Sequence, residues 1–581
     1  MTVSLRVITS LLKKYLKPYV LQISLLTILL ITTNVIEIFQ PQIIRYYIDN
    51  ISGSLEKLTI ILSTVLYIGI SLILRIFMIG VEYLSQNLGW ATTNDLRADL
   101  AKHCMNLDMT FHNKYKPGEM IERIDGDAST LSEFFSTFTI YFFGSFILLL
   151  GIMIAVFVEG WIYGVIFLGF SILALIALYF VRKITAPLWK KTRESTTAMF
   201  GDIEESLSGM EDVRGNGANE FIMKKFHDIA RVDFKNKNKA MIVSRIYYLI
   251  NILMEAVLTI AILIASKYLY VPLGLSPGVV FLLLSYGTNI LRPLRQILWQ
   301  LQMLQNSLAN IERIDEWFQI KTKIVDEGKT PFPTEKITLE FDNLNFGYND
   351  DELILQNISF NLQPGKRLGL IGHTGSGKTT LARLIFRLYD TPNGGIKING
   401  INSKEFPLKE LRQNIAYVTQ EVELFKASIK DNITFFDKSI PEEKIYQGLH
   451  DLGLYEWINN LPHGLESEVF SEECGLSAGE EQLLALNRAF LKNPKLVVLD
   501  EASSRLDPAT ERYIDSAIGK LLEGRSAIII AHRLATLNDV DEILLLDKGR
   551  IIEYGSREDL VNDPNSHFSQ LLQKGIEGVL H

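Results

Sequence analysis

The sequence predicts a two-part chain: an α-helical membrane domain of six spanning helices with long cytosolic extensions, fused to an α/β P-loop domain. Three features of its 581 residues predict this. Long apolar blocks crowd the first half. The second half alternates short β-branched runs with helical patterns. One of those runs leads into a glycine-rich loop of the kind that cradles phosphate.

A spanning helix needs roughly 20 apolar residues. Six segments are expected to span: 20–44, 58–79, 134–157, 161–181, 246–271 and 279–291. The last is short if cut at Arg292, but Ile297, Leu298 and Leu301 continue its helical pattern. The connections at 50–57, 159–160 and 272–277 are short, whereas 86–133 and 182–245 are long and rich in helix formers. Lys and Arg crowd the long ones (Arg97, Lys102, Lys114, Lys190, Lys191 and Lys224 among them), so the positive-inside rule puts both in the cytosol as extensions of the membrane helices. Residues 5–19 mix Arg6, Lys13, Lys14 and Lys17 with apolar residues, the pattern of a short helix on the inner membrane surface. No cleavable signal peptide is evident, and the amino terminus is expected in the cytosol.

Ionisable residues inside apolar spans are functional suspects. Arg75 and Glu37 lie near span ends and are expected to reach the interface. Glu255 falls well inside the fifth span and is the candidate substrate contact; a structural hydrogen bond to a neighbouring helix is the alternative.

The net charge of −8 carries no nucleic-acid footprint. Cys104 and Cys474 lack metal-ligand spacing, which suits a reducing compartment. Gly328, Pro331 and Pro333 amid charges mark a linker. The expected division is therefore a transmembrane domain at 1–320, a linker at 321–335 and a nucleotide-binding domain at 336–581. The turn Pro364-Gly365 between two strand-like runs suggests an antiparallel sub-sheet near the start of that domain.

Arg367-Leu-Gly-Leu-Ile reads as a buried strand, and Gly372-His-Thr374-Gly375-Ser376-Gly377-Lys378-Thr379-Thr380 follows it into a helical run. This is the phosphate-binding loop in its strand–loop–helix context. Glycines let amide groups turn toward an anion, and the helix amino terminus adds its positive end. Lys378 is expected at the β and γ phosphates and Thr379 at Mg²⁺. Far along the chain, Leu496-Val-Val-Leu-Asp500-Glu501 is an apolar strand ending in two acids. Asp500 suits Mg²⁺ anchorage through water, and Glu501 suits polarising an attacking water.

With these residues in place the chain resembles the ATP-binding cassette (ABC) family, specifically its exporter-type half-transporters, over nearly its whole length. Leu476-Ser477-Ala-Gly479-Glu480 resembles the family signature, Leu-Ser-Gly-Gly-Gln. Tyr348 matches the aromatic residue on which adenine stacks. Gln420 matches the glutamine that senses Mg²⁺, and His532 the histidine that binds the γ-phosphate. Segments 504–507, 117–125 and 211–218 resemble the loop that crosses the dimer and the two cytosolic loops of the membrane domain. The resemblance implies an α/β P-loop ATPase that binds ATP with Mg²⁺ between two cassettes. Ser477 and Gly479 of one cassette would then meet the γ-phosphate held by the other.

The signature departs from the pattern at Ala478 and Glu480. Ala478 would strain the loop if its position requires positive φ. Glu480 puts an anion near triphosphate unless it turns to a basic partner such as Arg488. An altered signature beside intact Glu501 and His532 favours a heterodimer with a second half-transporter subunit over a homodimer. The function implied is export of amphipathic or lipid-like small molecules by a multi-pass protein of the cell membrane, in contact with membrane lipid and with no nucleic-acid partner. An ATP-gated sensor, and uptake on an exporter-type fold, are the alternatives.

Overall fold

A computed structural model describes residues 5–50, 57–133, 136, 141–273, 276–349, 352–469, 476–500, 508–531 and 537–573. It divides into two units. The first comprises Met1–Met105 and Pro117–Ile320; the second comprises Asn106–Lys116 and Lys321–His581.

The first unit is helical: α1 (Leu5–Leu16), α2 (Val20–Asn50), α3 (Lys57–Met105), then, after α4 (Met109–Lys114) of the second unit, α5 (Pro117–Ile121), α6 (Ala128–Glu133), α7 (Gly144–Glu159), α8 (Trp161–Ser208), α9 (Met210–Gly215), α10 (Asn219–Leu273) and α11 (Pro277–Gln319). Five helices among the described residues are long and apolar enough to cross a membrane. The expected sixth span lies in α11, where Thr288, Asn289 and Arg292 dilute the apolar run. The third expected span, 134–157, falls partly outside the described residues. Several helices run far beyond bilayer thickness: α3 has 49 residues and α10 has 55. Ser276 starts α11, its hydroxyl accepting the Val279 N–H at 3.3 Å, with Pro277 in the first turn.

Helical spacing decides which side of each span is inside. Leu148, Ile152 and Val156 of α7 recur every four residues and pack with Phe167 and Ala174 of α8, Leu258 and Ile262 of α10, and Tyr286 and Ile290 of α11. The opposite faces stay apolar yet exposed, as at Ile154 (64%) and Ile260 (54%). That is the surface a lipid solvent requires. Glu37 pairs with Arg292 across α2 and α11, so two charges in the bundle neutralise each other.

The second unit holds two sheets. Strands β1 (Leu339–Phe346), β2 (Leu355–Leu362), β4 (Asn393–Ile398) and β5 (Ile401–Asn402) form an antiparallel sheet in the order β2-β1-β4-β5. Strands β3 (Arg367–Ile371), β6 (Ile415–Val418), β7 (Leu496–Asp500), β8 (Ser526–Ile530), β9 (Glu542–Asp547) and β10 (Arg550–Ser556) form the other, in the order β10-β9-β3-β8-β7-β6. Its pairings are parallel except that of β10 with β9. Pro364-Gly365 joins β2 to β3 and so passes between sheets. The antiparallel pair is β1 with β2, connected through 347–354.

Strand β7 explains its own composition. Leu496 and Val498 point into the core shared with the antiparallel sheet, where Phe341 stacks on Phe360 at 4.3 Å. Val497 and Leu499 point the other way, into the core beneath the helices. A strand buried on both faces reads as a continuous apolar run rather than an alternating one. Besides α4, the helices of this unit are α12 (Lys378–Ile385), α13 (Leu408–Asn414), α14 (Ile429–Thr434), α15 (Glu442–Asp451), α16 (Tyr455–Asn459), α17 (Ala478–Leu491), α18 (Pro508–Leu522), α19 (Arg557–Asn562) and α20 (His567–Gln573).

Candidate functional site

In a parallel sheet, ligands meet the chain beyond the carboxyl ends of the strands. Here four such ends share one edge. Strand β3 runs into the phosphate loop, β6 stops two residues before Gln420, β7 ends on Asp500, and β8 stops at Ile530. Glu501 and His532 follow β7 and β8 in the chain but lie outside the described residues, as does 504–507.

The loop is shaped by its glycines. Gly375 and Gly377 have φ of 82° and 106°, values open to glycine at little cost. Gly377 is the N-cap of α12, so the loop runs directly into the amino terminus of a helix. Lys378 is 5% exposed and donates to the carbonyls of Gly372 (2.6 Å) and His373 (3.1 Å). The buried Ser376 hydroxyl has no hydrogen-bond partner among the described residues. His373, Thr374 and Gly375 are exposed, and Thr379 is half-buried. The loop thus sets a buried lysine and a helix amino terminus beside one unmet hydroxyl, while the Ser376 amide donates to the His373 carbonyl at 3.0 Å.

Asp500 is 4% exposed, and the Tyr417 hydroxyl of β6 donates to its Oδ2 at 3.3 Å. Burial pushes the Tyr417 phenol well up, and the Asp500 charge adds to this, so the hydroxyl keeps its proton. Helix α12 lies against β7. The Thr379 hydroxyl and the Asp500 carboxylate are both hard oxygen donors. They fit Mg²⁺, which takes few protein ligands and fills its shell with phosphate and water. No group of three or more His, Cys, Asp and Glu among the described residues could hold a metal. Gln420 is exposed, and its carbonyl accepts from Gln482 of α17 at 3.4 Å.

Tyr348 is half-buried beside the loop. Its hydroxyl shares a 3.1 Å hydrogen bond with Thr380 Oγ1 and accepts another of 3.1 Å from Arg383. The Tyr389 ring meets Tyr348 edge-on at 5.1 Å. The Asn113 side chain in turn donates to the Tyr389 hydroxyl. Asn113 belongs to α4, capped by Asp108, whose carboxylate also accepts from Lys323 N–H.

Ser477 is the exposed N-cap of α17, and Ala478 takes ordinary helical geometry, so the feared strain is absent. Glu480 does not turn to Arg488. That guanidinium donates to the Asn432 and Glu423 carbonyls and stacks on Phe435. Glu480 instead closes back on Ser477.

In the first unit, a cavity of about 750 Å³ is lined by Trp90, Tyr141, Gln296 and Trp299 among others. A neighbouring one of about 710 Å³ is lined by Arg182, Tyr248, Arg292, Arg295 and Trp299. A third, of about 410 Å³, holds the Glu37–Arg292 pair. Gln296 borders all three. Glu255 is exposed on α10 and lines none of them.

Residues 23–294 match the model of the ABC transporter transmembrane region, and residues 355–504 match that of the ABC transporter. An ATP-dependent lipid A-core flippase of Pseudomonas fluorescens is 31% identical, covering 85% of this chain and 82% of its own. The chain belongs to the ABC transporter family. It is therefore an integral membrane protein whose second unit binds ATP and couples its hydrolysis to transport. A further relative of this ABC transporter is the uncharacterized ABC transporter ATP-binding protein YknV of Bacillus subtilis, 30% identical over 94% of this chain and 91% of that one. Among solved structures, a bacterial Atm1-family ABC exporter with ATP bound superposes with a TM-score of 0.77 at 25% identity, covering 97% of this chain and 98% of that one.

Sequence reasoning missed Tyr417, Arg383, Tyr389 and Asn113. No local pattern marks them, because each acquires its place through packing between elements distant in sequence. It could have found the Ser477–Glu480 closure, since Ser-x-x-Glu before an apolar helix is the capping-box pattern.

Proposed function

We propose that the chain is one half of a dimeric exporter of amphipathic, lipid-like molecules, seated in the cell membrane with its ATPase unit in the cytosol. The observation that carries the reading is the donor-lined phosphate loop, with its unmet Ser376 hydroxyl, beside a strand that ends on the buried Asp500. Loop amides and Lys378 take the phosphates, and Tyr348 stacks on adenine. Mg²⁺ held by Thr379, Asp500 and Gln420 supplies charge neutralisation of the phosphates when bound. Glu501 polarises the attacking water and His532 steadies the γ-phosphate. This chain's Ser477 and Gly479 complete the corresponding site of its partner. Nucleotide then favours the closed dimer, because it is bound from two sides there and from one side when open.

The amphipathic class of cargo is supported by cavities that set indole and phenol rings beside guanidinium groups, and by relatives named lipid A-core flippases. Substrate contact at Glu255 would be made on the exposed face of α10, outside these cavities. The changed signature, Ala478 and Glu480, favours a heterodimer in which this chain retains Glu501 and His532.

The test is reconstitution of the full-length chain in lipid vesicles, alone and with a second half-transporter, with fluorescent lipid analogues as cargo. ATP-dependent movement that stops in Glu501→Gln is expected. Vigorous cargo-stimulated hydrolysis by the chain alone would rule out the heterodimer. No movement of any amphipath with either preparation would overturn the exporter reading.

A further inference from the structure

The N-terminus of α17 is closed by one of its own side chains. Ser477 Oγ accepts the Glu480 N–H at 3.3 Å. In return, Glu480 Oε2 accepts the Ser477 N–H at 2.7 Å and the Ser477 hydroxyl at 2.8 Å. Ser477 is exposed. No salt bridge among the described residues neutralises Glu480, and Arg488, the nearest expected partner, is engaged by Asn432, Glu423 and Phe435.

A hydroxyl has a single proton to donate. In this arrangement that proton is given to a carboxylate, through a charge-assisted bond stronger than a neutral one. The reading above assigns the same proton to a γ-phosphate arriving on the partner's cassette, and the present inference rests on that reading. Two anions then claim one donor at one helix terminus. The resident one is tethered three residues away, so it competes at high effective concentration. It also repels the incoming triphosphate. A glutamine at this position behaves differently. Its amide NH₂ can donate to Ser477 Oγ, which leaves the hydroxyl proton for phosphate, and it carries no charge.

We propose that Glu480 is a built-in competitor for the γ-phosphate: its carboxylate occupies the Ser477 hydroxyl, and the nucleotide site completed by this signature closes only when that carboxylate is displaced. Glu480 is thus a positioning residue that acts through Ser477. It raises the ATP concentration needed for closure without touching the chemistry at the other cassette's phosphate loop. The N-cap role of Ser477 is unaffected by the displacement, because Ser477 Oγ still accepts the Glu480 N–H.

The experiment uses the full-length chain in its dimeric form in lipid nanodiscs. It reads half-saturating ATP for cassette closure by spin-label distances, and KM and kcat for hydrolysis. Glu480→Gln should lower half-saturating ATP and KM by about threefold to tenfold, as expected for losing one nearby like charge, with kcat changed less than twofold. Glu480→Ala should lower the ATP requirement similarly, although its melting temperature falls through loss of the carboxylate half of the capping box. Ser477→Ala should raise the requirement. An unchanged ATP requirement in both Glu480 variants, with Ser477→Ala still impaired, would overturn the inference and leave the two-sided site standing. If Ser477→Ala also closes as wild type does, the two-sided site itself falls, and the competitor role falls with it.

Discussion

The side-chain amide of Asn113 donates a 2.6 Å hydrogen bond to the hydroxyl of Tyr389. The two residues are 276 positions apart, and Asn113 lies in Asn106–Lys116, a short segment whose chain neighbours belong to the membrane unit. Tyr389 also touches Tyr348, the residue assigned to adenine. Within the second unit, a chain of contacts therefore runs from Tyr348 through Tyr389 to Asn113 of α4. Asn113→Ala should leave basal ATP hydrolysis near wild type and reduce cargo-stimulated hydrolysis by about twofold to tenfold, the loss of one hydrogen bond's worth of coupling. Hydrolysis with and without lipid cargo in nanodiscs checks this.

Tyr348 separates stacking from hydrogen bonding. Its ring is proposed to stack on adenine, while its hydroxyl is engaged by Thr380 and Arg383. Tyr348→Phe should keep ATP affinity within about twofold, whereas Tyr348→Ala should weaken it by about 0.5–1.5 kcal/mol, the scale of an aromatic pair. Equilibrium binding of a fluorescent ATP analogue distinguishes the two.

Asp127 is 7% exposed and accepts from Arg313 Nε at 3.0 Å and from its Nη2, while Arg313 also reaches Asn310. Removing the guanidinium strands a buried carboxylate. Arg313→Ala should destabilise the membrane unit by about 1–3 kcal/mol, visible as a lower melting temperature in detergent. Asp127→Asn with Arg313→Ala should recover part of that loss, because no charge is then left unpaired.

Asp541 gives a pH dependence with a definite sign. Partial burial opposes its charge, but the Arg367 N–H at 2.8 Å and the Lys366 ammonium at 3.0 Å hold the carboxyl below its ordinary value. A depressed folded pKa means that the stabilisation is fully present above the unfolded value, about 3.9, and is lost as pH falls through the folded one. The melting temperature of the wild type should therefore drop more steeply below about pH 4 than that of Asp541→Asn. Parallel curves would remove Asp541 as the cause.

Much of the ATP site is legible in the sequence because its chemistry is contiguous. Strand, loop and helix follow one another from Arg367 to Ile385, and the apolar run before Asp500 reflects burial on both faces of β7. What escapes is adjacency created by crossovers. Tyr417 reaches Asp500 only because β6 and β7 are neighbours in the sheet, although their paired residues stand about eighty positions apart in the chain. The turn at Pro364-Gly365 misleads for the same reason: a two-residue signal cannot say whether the chain folds back or changes sheet. Likewise, nothing local to Glu37 announces Arg292, which α11 brings beside it.

Helix α10 is 55 residues long, about 82 Å at 1.5 Å per residue. A rod of that length works as a pointer. A tilt of five degrees at one tip sweeps the other through roughly 7 Å, more than one turn of helix. A few degrees of tilt at one end of α10 therefore become a displacement of several ångströms at the other, and arm length supplies the gain.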